Sequence, residues 1–223
     1  MTNTSKTATL ICTEIERRIA AGAYSDGEKL SEQGLAAEFA VSRTPLREAL
    51  QILQGLGHVE LIPNRGAFVR RPSITRLVEM FEVMAEMEAW CVRLATARIT
   101  PAQRLYLRQA ATDCDKALAA NNPEAYFEAN GRLHGTIYEA SGNSVLMEET
   151  QRMVRRLRPF RRSQLNLTGR LEASMREHDE ILNAIEENEP ERAAALMRAH
   201  INILSQSYDQ YLAQIEGLPG HTH

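Results

Sequence analysis

Cysteines, aromatic residues and long apolar runs are scarce in this 223-residue chain. The three cysteines, Cys12, Cys91 and Cys114, are an odd number without a Cys-x-x-Cys pair, so they indicate a reducing compartment rather than a disulfide framework. No apolar run approaches the roughly 18 residues of a membrane-spanning helix, and Met1–Lys6 lacks the apolar core of a signal peptide. The sequence therefore predicts a cytoplasmic protein without a membrane partner.

The remaining composition is that of a folded protein. Hydrophobic residues make up 43% and charged residues 25% of the chain, which is enough for a buried core and argues against global disorder. The length allows one large domain or two small ones. Strand and turn signals occur only before Arg70-Arg71-Pro72, and helical patterns alone follow it. This change of pattern predicts two domains.

The N-terminal pattern is helix, helix, tight turn, helix and β-hairpin. Ser31 and Ser42 are N-cap residues before two short amphipathic segments, and a Pro-Asn-Arg-Gly turn follows between two β runs. The predicted helices are 7–21, 32–39 and 43–56, and the predicted strands are 59–61 and 67–69. This order is typical of a winged helix-turn-helix DNA-binding domain.

The C-terminal pattern is an all-α bundle of about six helices. Pairs such as Thr100-Pro101, Asn122-Pro123 and Glu189-Pro190 are helix-start signals. The predicted helices are 74–98, 101–121, 123–141, 144–162, 171–188 and 190–215. We therefore predict a mainly α fold, with a winged helix-turn-helix at 1–71, a linker at 72–77, an α-helical domain at 78–216 and a flexible tail at 217–223.

Four polar residues carry the predicted contact with double-stranded DNA. Arg43, Thr44 and Arg47 lie in the first turns of the third helix, opposite its apolar face, where side chains can reach base edges or phosphates. In the hairpin, Arg65 can enter the minor groove and Gly66 allows close backbone approach. Any one of these arginines alone would be an ordinary solvated residue, but the set followed by a wing favours DNA. The net charge is only −3, so binding depends on where these arginines point.

Three histidines of the second domain fall on different predicted helices. They are His134, His178 and His200, and Asn130 precedes His134 by one helical turn on the same face. Each histidine has apolar neighbours at helical spacing, which predicts a position on or beside the buried face. Buried imidazoles require hydrogen bonds or a metal ion. The residues alone leave both alternatives open: satisfied core histidines or a divalent metal site.

The segments SRTPLREAL and GHVELIPNRGAFV resemble the winged-helix domain of the GntR family of bacterial transcription regulators. The resemblance covers about residues 7–71 and implies DNA contacts from Ser42, Arg43, Thr44, Arg47 and Gly66. Many members have Arg where this chain has Gln33. Gln33 therefore remains a candidate DNA contact, and the operator of such members is not carried over to this chain.

Residues from Glu79 to Tyr208 resemble the FCD ligand-binding domain of the FadR subfamily. The matching segments are EMEAWCVRLATARIT, ANGRLHGTIYEASGN, SMREHDEILNAIEENEPERAA and LMRAHI. The resemblance implies a divalent ion held by Asn130, His134, His178 and His200. The family usually has Asp at the position of Asn130, and an amide oxygen is a weaker, neutral ligand. Three nitrogens and one oxygen suit Zn²⁺, with Ni²⁺ or Mn²⁺ as alternatives.

The same resemblance implies a small-molecule effector, expected to be a carboxylic acid that binds near the metal. Many members have Arg where this chain has Met84, which makes the pocket less cationic on that side. Arg156, from the arginine-rich segment RMVRRLRPFRR, is a possible replacement, although that segment is also typical of a solvated face. Tyr138, one turn after His134, is either a pocket residue or a core aromatic.

Together these features predict a transcription regulator rather than an enzyme. We expect a repressor in the bacterial cytoplasm, associated with the nucleoid, that binds a palindromic operator as a homodimer and responds to an effector. Two other functions fit part of the sequence. A metal-dependent hydrolase would use the histidines to activate water, and a pure dimerisation module would bury them in its core.

Overall fold

The computed structural model describes residues 3–165 and 167–206. Its described part contains nine α-helices and a three-stranded antiparallel sheet, which confirms the predicted mainly α class with a small β-wing. Two compact units are present: residues up to Arg76 together with Arg158–Ser163, and Leu77–Leu157 together with the residues from Gln164 onward. The predicted tail at 217–223 and the predicted end of the last helix lie outside the described residues.

The first unit contains three helices and the sheet. Its elements are α1 (Asn3–Ala20), β1 (Lys29–Leu30), α2 (Glu32–Glu38), α3 (Arg43–Leu56), β2 (Val59–Ile62) and β3 (Gly66–Val69). The sheet order is β1-β3-β2, and both pairings are antiparallel. The sequence pattern does not predict strand β1, because two residues are too few to show an alternation.

The core of the first unit joins one face of each helix to one face of the sheet. α3 buries residues at helical spacing, because Leu46, Ala49, Leu50 and Leu53 recur every three or four positions. They pack into one cluster with Ile11, Ile15, Ile19, Leu30, Leu35, Val59, Ala67 and Val69. This packing fixes α3 against the sheet and leaves its opposite face exposed.

The second unit is helical. Its helices are α4 (Ile74–Arg98), α5 (Pro101–Ala119), α6 (Pro123–Ala140), α7 (Ser144–Gln164), α8 (Arg170–Glu186) and α9 (Pro190–Gln206). The start of α4 up to Arg76 and the Arg158–Ser163 part of α7 belong to the first unit. The predicted proline starts of α5 and α6 are confirmed: Thr100 forms a capping box with Gln103, and Asn122 accepts from the amide of Ala125. α4 begins within the predicted linker 72–77, and the domain limits themselves stay a prediction.

None of the helices in the described ranges combines the length and apolar character that crossing a membrane would require.

Candidate DNA interface and metal centre

The exposed face of α3 presents the side chains predicted to contact DNA. Ser42, Arg43, Thr44 and Arg47 are all exposed, whereas the apolar face of the same turns is buried. The first backbone N–H groups of a helix also attract anions, which adds to the charge of the two arginines. The start of α3 therefore presents two cations, two hydroxyls and helix-start amide groups on one side.

The Ser42 hydroxyl does not cap α3 as the sequence predicted. Ser42 occupies the N-cap position with an extended backbone, but its side chain makes no capping hydrogen bond. The third helical residue is Pro45, which has no N–H for the serine to bind. By contrast, Ser31 caps α2 by accepting from the amide of Gly34 at 3.1 Å. The Ser42 hydroxyl is therefore not used to cap the helix and is available to a binding partner.

Arg47 is held by an acidic residue of the preceding helix. Its Nε donates to Glu32 Oε2 at 3.2 Å, and the Arg47 side chain remains 64% exposed. Gln33, the neighbour of Glu32 in the first turn of α2, is exposed. A groove of about 760 Å³ runs between these helices and the hairpin, with Arg47, Asn64 and Arg65 among its lining residues. This groove separates the exposed face of α3 from the wing.

The hairpin of β2 and β3 forms the wing. Arg65 at its turn is exposed, and its guanidinium lies 5.7 Å from the centre of the Phe68 ring. Gly66 has a φ of +106°, a conformation that L-residues rarely adopt, and a Cβ there would meet Lys29 Cε at 3.3 Å. Exposed Lys29 of β1 is thus an additional cation beside the wing, and the sequence pattern does not single it out.

The three histidines of the second unit converge inside the bundle. His134 comes from α6, His178 from α8 and His200 from α9, and all three are buried. One ring nitrogen of each lies within 4.8 Å of the others. The ring centroids are 4.8 to 5.4 Å apart. Helices distant in sequence therefore bring three metal-ligating groups to one point.

Carboxylates contact the outer nitrogens of two of these rings. Glu88 Oε2 lies 2.6 Å from His134 Nδ1, and Glu177 Oε2 lies 2.5 Å from His200 Nδ1. Buried Arg170 binds both oxygens of Glu177, at 2.8 and 2.9 Å. The opposite nitrogen of His134, Nε2, is buried without a hydrogen-bond partner in the described structure.

The protonation state of His200 suits metal binding. Burial lowers the pKa of His200 to about 4, although the hydrogen bond with Glu177 opposes this change, so the imidazole is neutral at pH 7. Burial also acts to raise the pKa of Glu177, but hydrogen bonds from His200 and Arg170 outweigh it and the pKa lies below its ordinary value. A neutral imidazole is the form that ligates a metal.

The donor set fits a divalent ion. Zn–N bonds are about 2.0–2.1 Å long, so two nitrogens on one ion lie at most about 4.2 Å apart. The histidine nitrogens, which lie within 4.8 Å of one another, must therefore move closer to share one ion. Asn130 is buried one turn before His134 on α6, on the same helix face. The buried, unbonded His134 Nε2 is the observation that favours an ion over a satisfied core.

The three predicted effector-pocket residues lie in different environments of the second unit. Met84 is fully buried on α4, one turn before Glu88. The Tyr138 ring centre lies 6.3 Å from that of His134. Arg156 is half-buried on α7, and no contact described in the structure joins it to the histidines. Tyr138 thus lies beside a histidine of the cluster, whereas the pocket roles of Met84 and Arg156 stay predictions.

Two family models together match most of the chain. The model described as "Bacterial regulatory proteins, gntR family" matches residues 7–69, and the FCD domain model matches residues 79–203. The chain belongs to the GntR family and contains an FCD domain. This membership makes it a transcription regulator with a DNA-binding helix-turn-helix, as the sequence resemblance implied.

Several relatives of this GntR-family protein are similar over most of their length. The Nta operon transcriptional regulator of Aminobacter aminovorans is 30% identical over 194 residues, which cover 87% of this chain and 89% of that protein. The transcriptional repressor NanR of Edwardsiella tarda is 26% identical, with 94% and 88% covered. The solved structure of E. coli McbR/YncC aligns with a TM-score of 0.69 at 22% identity, over 93% of this chain and all of the other. These relatives are named as regulators rather than enzymes.

The two carboxylates beside the histidines of this GntR-family protein are functional candidates that the sequence motifs do not single out. The sequence does contain a signal for Glu88. It follows Leu77, Phe81 and Met84 at helical spacing on the buried face of α4. A buried acidic residue at such a position requires a partner. Glu177 directly precedes His178 in the sequence. Because neighbouring helix residues point about 100° apart, its carboxylate reaches His200 of another helix instead.

Proposed function

We propose that this regulator is a repressor that binds a palindromic operator as a homodimer and responds to a small carboxylic acid bound near a divalent metal. Residues 1–71 would bind DNA, the linker 72–77 would join the domains, and residues 78–216 would bind metal and effector and form the dimer. The observation that carries the metal proposal is the convergence of His134, His178 and His200 with ligating atoms within 4.8 Å of one another.

The proposed DNA contacts are Gln33, Ser42, Arg43, Thr44, Arg47, Arg65 and Gly66. Gln33, Ser42, Arg43 and Thr44 are exposed, and Arg47, Arg65 and Gly66 line one groove. The element order also fits a recognition helix in the major groove followed by a wing. The relatives named as repressors, such as NanR, support repression as the sign of regulation.

The proposed metal ligands are Asn130, His134, His178 and His200, with Zn²⁺ first and Ni²⁺ or Mn²⁺ as alternatives. When bound, the ion would supply a positive centre to which an effector carboxylate can coordinate. Met84, Tyr138 and Arg156 are the proposed pocket residues. The effector would then favour one arrangement of the DNA-binding domains by its differential affinity for the two states.

The test measures thermal stability with metals and acids. Because a ligand specific for the folded state raises apparent stability, we expect Zn²⁺ to raise the melting temperature and a chelator to reverse the rise. His178→Ala should abolish the shift. His58→Gln is the matched control, since His58 is also buried but belongs to the first unit. No Zn²⁺-dependent shift in the wild-type protein would favour a pure dimerisation module.

The effector is sought in the same assay. Citrate, malate and benzoate are added with and without Zn²⁺, and an acid that stabilises only the metal-loaded protein is then tested on DNA. The operator is first selected from a random duplex library. We expect the acid to change operator affinity in the wild-type protein but not in His178→Ala.

A further inference from the structure

Two buried or partly buried carboxylates contact the histidine cluster from outside. Glu88 of α4 is completely buried, and its Oε2 lies 2.6 Å from His134 Nδ1. Glu177 of α8 has a side chain only 20% exposed, and its Oε2 lies 2.5 Å from His200 Nδ1. The two contacts are equivalent in chemistry although they come from different helices.

Each contact selects one form of its imidazole. An ionised carboxylate only accepts hydrogen bonds, so the Nδ1 it contacts must carry the proton and donate. A neutral imidazole protonated at Nδ1 has its lone pair at Nε2. This is the nitrogen of His134 that is buried without a hydrogen-bond partner.

Arg170 holds the second carboxylate in place. Its Nη1 and Nη2 donate to the two oxygens of Glu177 at 2.8 and 2.9 Å, and its side chain is only 6% exposed. Such a bidentate pair fixes the plane of the carboxylate as well as its position. Arg170, Glu177 and His200 therefore form a rigid chain whose far end is a metal-ligating ring.

The carboxylates also affect the charge balance of the metal site. Three neutral imidazoles and the amide of Asn130 bring no negative charge to a divalent ion, and a buried unpaired ion is costly. Glu88 places a formal negative charge one imidazole away from it, whereas the charge of Glu177 is paired with that of Arg170. Through His134, Glu88 thereby supplies a negative charge like the one that an aspartate at position 130 would supply directly.

We propose that Glu88 and Glu177 are positioning residues for the metal centre, which orient His134 and His200 with Nε2 toward the ion, and that Glu88 also compensates its charge. This inference rests on the proposed metal binding. Outer carboxylates of this kind typically change metal affinity by about 10–100-fold when removed.

The first measurement is Zn²⁺ affinity of the full chain, by competition with a chelating dye. Glu88→Gln and Glu177→Gln should each weaken binding about tenfold or more, and Glu88→Met, which also removes the acceptor, should weaken it further. The matched control is Glu86→Gln on α4, whose side chain is 63% exposed and paired with Arg198. That variant should bind Zn²⁺ within about twofold of the wild-type protein.

The second measurement does not depend on metal. Nitrogen-15 NMR of the metal-free protein should show His134 and His200 protonated at Nδ1, and Glu88→Met should alter the His134 tautomer while leaving that of His200 unchanged. Zn²⁺ affinities of both glutamine variants within twofold of wild type, or protonation at Nε2 in the wild type, would overturn the inference. A wild-type protein that binds no divalent ion would overturn the proposed metal function as well, so the two failures are distinguishable.

Discussion

Arg47 in the exposed face of α3 donates to Glu32 of α2 through a single hydrogen bond of 3.2 Å. The arginine is therefore aligned but not neutralised by a bidentate pair, and its remaining donors are available to DNA. Exposed pairs of this kind are weak, at about 0–1 kcal/mol. The pair holds the side chain along the groove at little cost to DNA binding.

We expect Arg47→Ala and Arg43→Ala each to weaken operator binding by about 1–3 kcal/mol if they contact bases, or to lower the salt dependence of binding by about one ion if they contact phosphates. Fluorescence anisotropy at several salt concentrations measures both. Glu32→Gln should strengthen binding by up to about fivefold, because it removes an anion facing the DNA and releases Arg47.

Arg17→Ala is the control for these variants, because Arg17 is an exposed arginine of α1 paired with Glu14. Its operator affinity should equal that of the wild type. Unchanged affinity in both Arg43→Ala and Arg47→Ala would show that α3 is not the recognition helix.

Substitution by alanine should change protein stability differently at Ser31 and at Ser42. Ser31 caps α2, so Ser31→Ala should lower the free energy of unfolding by about 1 kcal/mol. Ser42 makes no capping bond, so Ser42→Ala should change stability by less than about 0.5 kcal/mol. It should nevertheless weaken operator binding. A loss of stability in Ser42→Ala equal to that of Ser31→Ala would contradict the assignment of the Ser42 hydroxyl to DNA.

Gly66 in the wing requires a conformation that a side chain disfavours. Its φ is +106°, and an alanine Cβ at this position would lie 3.3 Å from Lys29 Cε, so Gly66→Ala should destabilise the first unit by about 1–3 kcal/mol. The same change weakens DNA binding if the wing backbone approaches the phosphates. Gly55→Ala in α3 has open space around its Cβ and should stabilise by about 0.5–1 kcal/mol. Amide hydrogen exchange of the β3 peptide measures the difference.

Local signals in the sequence predict the helices more completely than the site. α3 and α4 match their predicted limits because proline, glycine and N-cap signals act locally. The sequence predicts that the three histidines are buried, and their convergence on one site is a hypothesis drawn from that. The distances between them depend on how three helices pack together, which no local pattern encodes. The pairing of Glu88 with His134 spans 46 residues, and no local pattern identifies which buried imidazole a buried carboxylate meets. Charge patterns predict exposure well but long-range partners poorly.

A buried carboxyl in the first unit predicts a stability that falls as pH rises. Glu16 of α1 is 4% exposed, its Oε1 lies 3.9 Å from His58 Nε2, and Arg158 and Arg162 are further charged neighbours. Burial raises the pKa of Glu16 from 4.5 to about 7, although the two arginines lower it. Between pH 4.5 and about 7, the Glu16 carboxyl is ionised in the unfolded chain but protonated in the folded unit. The stability from this group is therefore present below about pH 4.5 and decreases as pH rises through 7.

Glu16→Gln should remove this dependence, because glutamine has the same shape and no charge to desolvate. We expect the variant to resemble the wild type near pH 5 and to be more stable near pH 8 by about 2–3 kcal/mol. Amide exchange of α1 peptides, corrected for intrinsic rates, measures the local free energy of opening at each pH.

The control is Glu14→Gln on the same helix. A hydrogen bond from Arg17 lowers the pKa of Glu14 to about 2, so Glu14 is ionised at both pH values. Glu14→Gln should therefore keep the pH trend of the wild type and differ from it only by a constant offset. Equal pH trends in wild type and Glu16→Gln would contradict the prediction.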